Sequence, residues 1–315
     1  MNNEALVQLA LQAQSCSQKE LALRLGVSPT QISKWKKGEY MSSDMDQKLR
    51  AMANIGEKAP EFVVSAGSLK AAEKWERLIQ HLARDADDGA ETGYNTVPLR
   101  EELDLLCWQT FYVLKEMGVS LPSQFPQELD IDYDEVENSW ELIDNNPYAN
   151  LIQKIFKALT NVYGFYVAYV SDLLDDDDLD LFDTAGDIDS SLLSLAAAKL
   201  EEEDVHGLAM KFREFRFRVR NDYEEWLNIV KEKAFRAGVP LRAELLAMVY
   251  GSDDSLGHEA ESESLGFNSS RLHPDIYMNE LLVGMRVIHQ ALPAIMKKLG
   301  IDDEFKLNTA ELQVN

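Results

Sequence analysis

Residues 18–37 combine apolar residues at helical spacing with polar and basic side chains that can form hydrogen bonds and ion pairs. The apolar positions suit two short helices folded against each other across a tight turn; they are Leu21, Leu25, Val27, Ile32 and Trp35. Gly26 stands where the first helix must end, because glycine readily takes the left-handed conformation needed there. Ser28 is placed to cap the second helix and Pro29 to occupy its first turn. The second helix would then expose glutamine and lysine, which are donors suited to base edges and phosphate oxygens.

A small side chain supports the same arrangement. Ala22 lies where the two helices would cross, and a larger residue there would push them apart. The segment resembles the Cro/lambda-repressor-like (XRE) family of helix-turn-helix domains over roughly residues 1–55. The matching residues are Ser17-Gln18, Glu20-Leu21-Ala22, Gly26-Val27-Ser28, Ile32-Ser33 and Gly38. The resemblance implies a closing helix at 42–54 and a first helix at 3–14, whose inward residues would be Leu6, Leu9, Ala10 and Ala13.

In that family the recognition helix lies in the major groove with its early residues on base edges. The resemblance therefore implies that this chain binds double-stranded DNA, with Thr30, Gln31 and Lys34 facing the bases. It also implies phosphate contacts at the two flanks, from Gln18, Ser33, Lys36 and Lys37. Glutamine suits adenine, and lysine suits guanine. From the residues alone, a small helical hairpin that binds protein is the alternative. The coincidence of small alanine, turn glycine, capping serine and exposed lysine favours DNA.

The charge of the chain is strongly asymmetric. Its 315 residues carry a net charge of −24. Residues 1–58 hold eight Lys/Arg against six Asp/Glu, a balance of +2, so the rest holds 23 against 49, a balance of −26. DNA would repel such a body, so only the N-terminal head is expected to lie against it. Tight binding would then depend on two heads acting together, as the homodimers of the family do.

Cysteine usage and hydropathy indicate a reducing, cytoplasmic compartment. Cys16 and Cys107 are the two cysteines, and neither has a neighbouring partner in the sequence, so two reduced thiols are expected. The N-terminus lacks the basic-then-apolar pattern of a secretory signal. No uncharged run exceeds 14 residues, the length of 158–171, which is too short to cross a bilayer.

The sequence predicts an all-α fold, with a helix-turn-helix domain at 1–55, a linker at 56–67 and an acidic helical-bundle domain at 68–315. The linker carries Gly and Pro without helical spacing. Apolar periodicity predicts the body helices, at 69–84, 98–117, 133–143, 147–174, 191–203, 205–236, 240–250 and 275–299. The helix at 147–174 is surrounded by aromatic residues and is expected to be central. Polar turns are expected at 85–95 and a Ser- and Gly-rich loop at 251–271.

Two charged clusters in the body have alternative interpretations. The run 172–189 holds nine aspartates, but it places Phe182 and Asp183 where a calcium loop needs an oxygen ligand and glycine. A solvated acidic loop is therefore favoured. The segment 211–220 is basic and could hold phosphates or an acidic partner. A helix whose arginines pair with Glu201–Asp204 and with the aspartate run is favoured, because the acidic body supplies abundant counter-charge.

Catalytic and metal-binding patterns are absent from the sequence. The histidines form no His-Glu-x-x-His pair and stand near no Cys-x-x-Cys; they are His81, His206, His258, His273 and His289. No glycine loop suited to phosphate occurs. We therefore expect no enzymatic activity, no cofactor and no metal.

Two functions fit these observations. The first is a sequence-specific transcription regulator, a repressor that reads a palindromic operator as a homodimer. Its body would dimerise and could bind a protein or small-molecule effector. The second is an antitoxin-like or defence-system protein, whose acidic body binds a basic protein and whose head autoregulates its operon.

Overall fold

The computed structural model describes residues 3–101, 103–133, 135–136, 139–177, 179–181, 186–205, 207–239, 241–267 and 274–301. Within them the regular structure is helical, and the one β-contact is an isolated bridge between Val119 and Ala209. The predicted all-α fold is confirmed. The described helices are α1 (Asn3–Ala13), α2 (Gln18–Leu25), α3 (Pro29–Trp35), α4 (Ser43–Ala53), α5 (Pro60–Ser65), α6 (Leu69–Asp88), α7 (Val97–Arg100), α8 (Leu103–Glu116), α9 (Ser139–Asn145), α10 (Pro147–Tyr169), α11 (Ser171–Leu174), α12 (Leu192–Lys199), α13 (Phe212–Ala237), α14 (Leu245–Tyr250), α15 (Asp253–Ser264) and α16 (Pro274–Leu299).

Helices α1 to α4 form the N-terminal unit around one set of buried side chains. Leu6, Leu21, Ile32 and Leu49, one from each helix, are at most 1% exposed. The predicted inward position of Ala13 is wrong: it is exposed, because α1 ends at this residue and its last turn is left uncovered.

The predicted linker contains a buried helix. Pro60 opens α5, and Phe62 and Val63 are each 1% exposed. The Phe62 ring meets the Phe111 ring of α8 edge-to-face, with centroids 4.7 Å apart. Only three residues of α5 are buried, too few for a helical period to be visible in the sequence. The hydrophobic core consequently runs without a break from the N-terminal unit into the body.

Helix α10 is the centre of the body, as predicted. Its buried residues lie on every side, among them Phe156 and Phe165 at 0% exposure. Helix α15 packs on it, although the sequence predicted a loop there. The strip that α15 buries is Leu256, Gly257 and Ala260. These mostly small residues give no apolar periodicity, yet they allow close approach: a Cβ on Gly257 would lie 2.4 Å from Oδ1 of Asn161 on α10.

Several predicted boundaries shift for local reasons. The helix predicted at 205–236 begins only at Phe212, because Gly207 has a φ of +80°. The helix predicted at 98–117 is divided into α7 and α8, and that at 147–174 into α10 and α11. The predicted turn at 85–95 begins only after α6 ends at Asp88. The remaining shifts, at α9, α12 and α14, shorten or displace helices predicted at 133–143, 191–203 and 240–250.

Membrane spanning receives no support from the described helices, none of which combines the necessary length and apolar character.

Candidate DNA-binding site

Helix α2 is fixed at both ends by its own sequence. The Ser17 Oγ accepts a hydrogen bond from the Glu20 N–H at 3.3 Å, and the Ser17 N–H donates to Glu20 Oε2 at 2.7 Å. This capping box satisfies two donors that would otherwise lack partners. The hydrogen bond from the Ser17 N–H is also the main reason that the pKa of Glu20 is lowered. At the other end Gly26 takes the left-handed conformation, with φ +69°, as the sequence predicted.

Helix α3 is anchored by its buried side. The predicted cap is confirmed, since Ser28 Oγ accepts from the Gln31 N–H at 3.2 Å and Pro29 opens the helix. Ile32 is 0% and Trp35 4% exposed. The Trp35 indole N–H also donates to the carbonyl of Tyr40 at 3.2 Å, which holds the chain that leaves the helix. The opposite side of α3 is therefore presented outward in a fixed orientation.

A polar bridge ties α2 to its neighbours. Arg24 Nη1 donates to Gln14 Oε1 at 2.8 Å, and Gln14 Nε2 donates to the Met52 carbonyl of α4 at 2.9 Å. Because these bonds link residues on or beside three helices, they add directional contacts to the apolar packing.

The predicted contact residues lie where they are accessible or partly so. Thr30 and Lys34 lie four residues apart on α3, which places them in one row, and Lys37 lies in the turn after the helix; all three are exposed. Ser33 is also exposed, whereas Gln18, Gln31 and Lys36 are half-buried. The major groove of B-DNA is wide enough to admit an α-helix that presents such side chains outward.

Two of these side chains already have partners in the chain. Lys34 Nζ lies 3.4 Å from Glu39 Oε2, and each side chain is about half exposed. Ser33 Oγ donates to the Pro29 carbonyl at 3.2 Å. To contact a base edge, Lys34 would have to leave Glu39, and to donate to a phosphate, Ser33 would have to rotate away from the Pro29 carbonyl. The sequence interpretation overlooked Glu39, although a carboxylate five residues after a lysine on a short helix was visible.

Lys36 and Lys37 differ from Lys34. Among the described residues, no carboxylate lies within 4 Å of either ammonium group. Both ammonium groups can therefore contact a phosphate without first leaving a carboxylate among the described residues.

Comparison with known families agrees with this geometry. A family model described as helix-turn-helix matches residues 7–45, which include all of α2 and α3. The N-terminal segment is a helix-turn-helix domain of the XRE type. This kind of domain binds DNA and carries no catalytic residues of its own. No curated protein and no solved structure matches the chain, and the family match ends before the acidic body.

Outside the helix-turn-helix domain, the basic segment 211–220 forms ion pairs, as predicted, but among the described residues Glu202 is the one predicted partner that it contacts. Arg213 Nη2 lies 2.6 Å from Glu202 Oε2, and Arg218 Nη2 lies 2.6 Å from Glu116 Oε2. Arg220 pairs with Glu224 one turn along α13. Farther along α13, Lys233 Nζ lies 3.2 Å from Asp180 Oδ2 in the aspartate run.

Two other candidate residues of the body, His81 and Cys107, are packed against neighbouring side chains or buried. His81 stacks between the rings of Tyr133 and Trp140, at 4.7 and 4.9 Å. Cys107 is buried, and burial raises the pKa of its thiol; neither it nor Cys16 is in a disulfide. In the described part of the chain, no group of three or more metal-ligating side chains comes together. His206, His273 and part of the aspartate run lie outside the residues whose side chains the structure describes.

Proposed function

We propose that this protein is a transcriptional repressor that binds a palindromic operator as a homodimer. The observation that carries the proposal is the outward row of α3, anchored from beneath by Ile32 and Trp35. In this proposal Thr30, Gln31 and Lys34 read base edges, while Gln18, Ser33, Lys36 and Lys37 hold the phosphates on either side.

The proposed roles of the two parts of the chain follow from their charges. The helix-turn-helix domain, within residues 1–55, supplies the DNA contacts, and residues 68–315 supply dimerisation and regulation. An acidic body suppresses non-specific DNA affinity, so occupancy of the operator depends on engaging two half-sites together. The antitoxin-like alternative also uses an acidic body, but no contact among the described residues favours it.

Helix α5 would couple the orientation of the body to that of the helix-turn-helix domain. Because Phe62 packs on Phe111 of α8 and Val63 is buried beside it, the orientation of the helix-turn-helix domain is tied to that of the body. A protein or small-molecule effector that prefers one arrangement of two bodies would therefore change the spacing of the two recognition helices.

Selection of bound sequences from random DNA tests the proposal. The full-length chain should select two inverted half-sites whose centres lie about 34–36 Å apart, or a multiple of that distance. A reporter with this operator across its promoter should be silenced, and one with a scrambled operator should not. Selection of single, unpaired sites would contradict the palindromic operator, and unrelated sequences would contradict specific recognition. Activation of the reporter would contradict the repressor role.

A further inference from the structure

The last helix, α16, presents apolar side chains to solvent along one stripe. Five of them follow a spacing of three and four and are between 46% and 65% exposed; they are Met285, Ile288, Leu292, Ile295 and Leu299. Met285 and every residue from 287 to 301 except Met296 are exposed. Alternation of three and four is the heptad pattern of the first and fourth positions in a coiled coil, and such a stripe faces a partner helix.

The other residues of α16 are arranged so that a partner would cover one side of the helix. At about 100° per residue, Gln290 and Lys297 lie roughly opposite the stripe. Pro293 lies about 120° from its centre, so the proline ring is off the face that a partner would cover. Val287 is 55% exposed but lies on the other flank.

Charge indicates what that partner is. The first half of the helix, 274–284, carries Asp275 and Glu280 and no basic residue, whereas 285–299 carries Arg286, Lys297 and Lys298 and no acid. Two copies placed antiparallel about residue 290 bring Lys298 of each opposite residue 282 of the other, two residues along the helix from Glu280. This self-complementarity is what a two-fold interface requires, and it occurs on a chain whose net charge of −24 otherwise repels a second copy.

We propose that α16 pairs with α16 of a second copy as an antiparallel two-helix coiled coil that holds the dimer together. In this pairing Met285 faces Ile295 of the second copy, and Ile288 faces its Leu292. Covering the stripe on both copies removes on the order of 1,000 Å² of surface from water, the lower bound of a specific interface. The inference rests on the proposed function in one respect, because it supplies the homodimer that a palindromic operator requires.

Sedimentation of the full-length protein without DNA tests the pairing. The wild type should have about twice the mass of one 35.7 kDa chain. Ile288→Asp and Leu292→Asp should each shift it to the mass of one chain, because a carboxylate would be buried in the seam. Val287→Asp is the matched control, since it places the same charge on the neighbouring residue outside the stripe, and it should remain a dimer. A monomeric wild type, or equal behaviour of Ile288→Asp and Val287→Asp, would overturn the proposal.

Disulfide trapping tests the direction of the two helices. In a Cys16→Ser background, Ile288→Cys and Leu292→Cys proteins should cross-link when mixed and allowed to exchange, because these positions face each other only in the antiparallel pair. Each variant alone should remain largely uncross-linked. Cross-linking of each with itself would show a parallel pair, and a dimer that never cross-links would place the interface elsewhere.

Failure of this inference can be told apart from failure of the proposed function. If the repressor proposal holds, monomeric Ile288→Asp keeps its preference for the selected half-site but loses at least tenfold in affinity for the full palindrome. If wild-type protein dimerises through α16 but prefers no DNA sequence, the dimer stands and the proposed function fails.

Discussion

Helices α3 and α13 both carry basic residues over buried aromatic side chains, yet their surroundings differ. On α13 the arginines reach carboxylates of α8, of its own next turn and of the segment before it. After α3, Lys36 and Lys37 reach none among the described residues. Basic residues of the two helices therefore differ in what binding a phosphate involves. A cation already paired with a carboxylate gives up that pair before it can bind phosphate. Pairing with carboxylates therefore distinguishes the two basic clusters among the described residues.

The largest expected effect separates Trp35 of α3 from Trp226 of α13, both of which are buried. Trp35→Ala and Trp226→Ala should each lower the free energy of unfolding by about 3–5 kcal/mol, because both side chains are at most 5% exposed. Only Trp35→Ala should also abolish operator binding under conditions where both variants are folded, since Trp35 positions α3. Urea denaturation and operator titration measure the two quantities. Equal loss of operator affinity in both variants would remove the distinction between the helices.

The next effect concerns base recognition. Gln31→Ala should weaken specific binding by about 1–3 kcal/mol and leave non-specific affinity nearly unchanged, because a base-edge contact carries sequence information. Competition titrations with operator and random duplex measure both. Gln8→Ala, an exposed glutamine on α1, is the control and should change neither. Equal weakening on both duplexes would assign Gln31 to the phosphates instead.

A smaller effect compares a cation of each cluster. Lys37→Ala should reduce the slope of log affinity against log salt by about one. Arg213→Ala should leave that slope unchanged, because its guanidinium already contacts Glu202. Titrations between low and high salt measure the slopes. A reduced slope for Arg213→Ala would bring α13 into the DNA interface.

The smallest expected effect concerns the pKa of Lys199 in the body and its dependence on the charge of Arg220. Burial, followed by the charge of Arg220, lowers the pKa of Lys199 to about 8. Arg220→Gln should raise that pKa toward 10.5, since a neighbouring positive charge disfavours the ammonium form. Nuclear magnetic resonance titration of the lysine side chain measures it, with Arg213→Gln as the control. An unchanged pKa in Arg220→Gln would show that Glu224 already cancels the arginine at this position.

The helices that could be predicted from the sequence are those fixed by interactions between residues close together in the chain. Ser28, Pro29 and Gly26 specify caps and a turn through contacts within a few residues, so α2 and α3 could be placed. The apolar periods of α6 and α16 were equally visible. Helix α15 was missed because it buries small residues, and α5 because a six-residue helix is too short for a period to emerge.

The sequence by itself determined the helix-turn-helix motif, the all-α fold and the unequal distribution of charge, because these depend on residue type and on neighbours along the chain. Tertiary structure decided which cations are neutralised, as in the pair between Arg218 and Glu116, 102 residues apart. It also decided that the Phe62 ring of α5 packs on the Phe111 ring of α8. Such pairs are set by how helices pack, and helix packing depends on side chains far apart in the sequence.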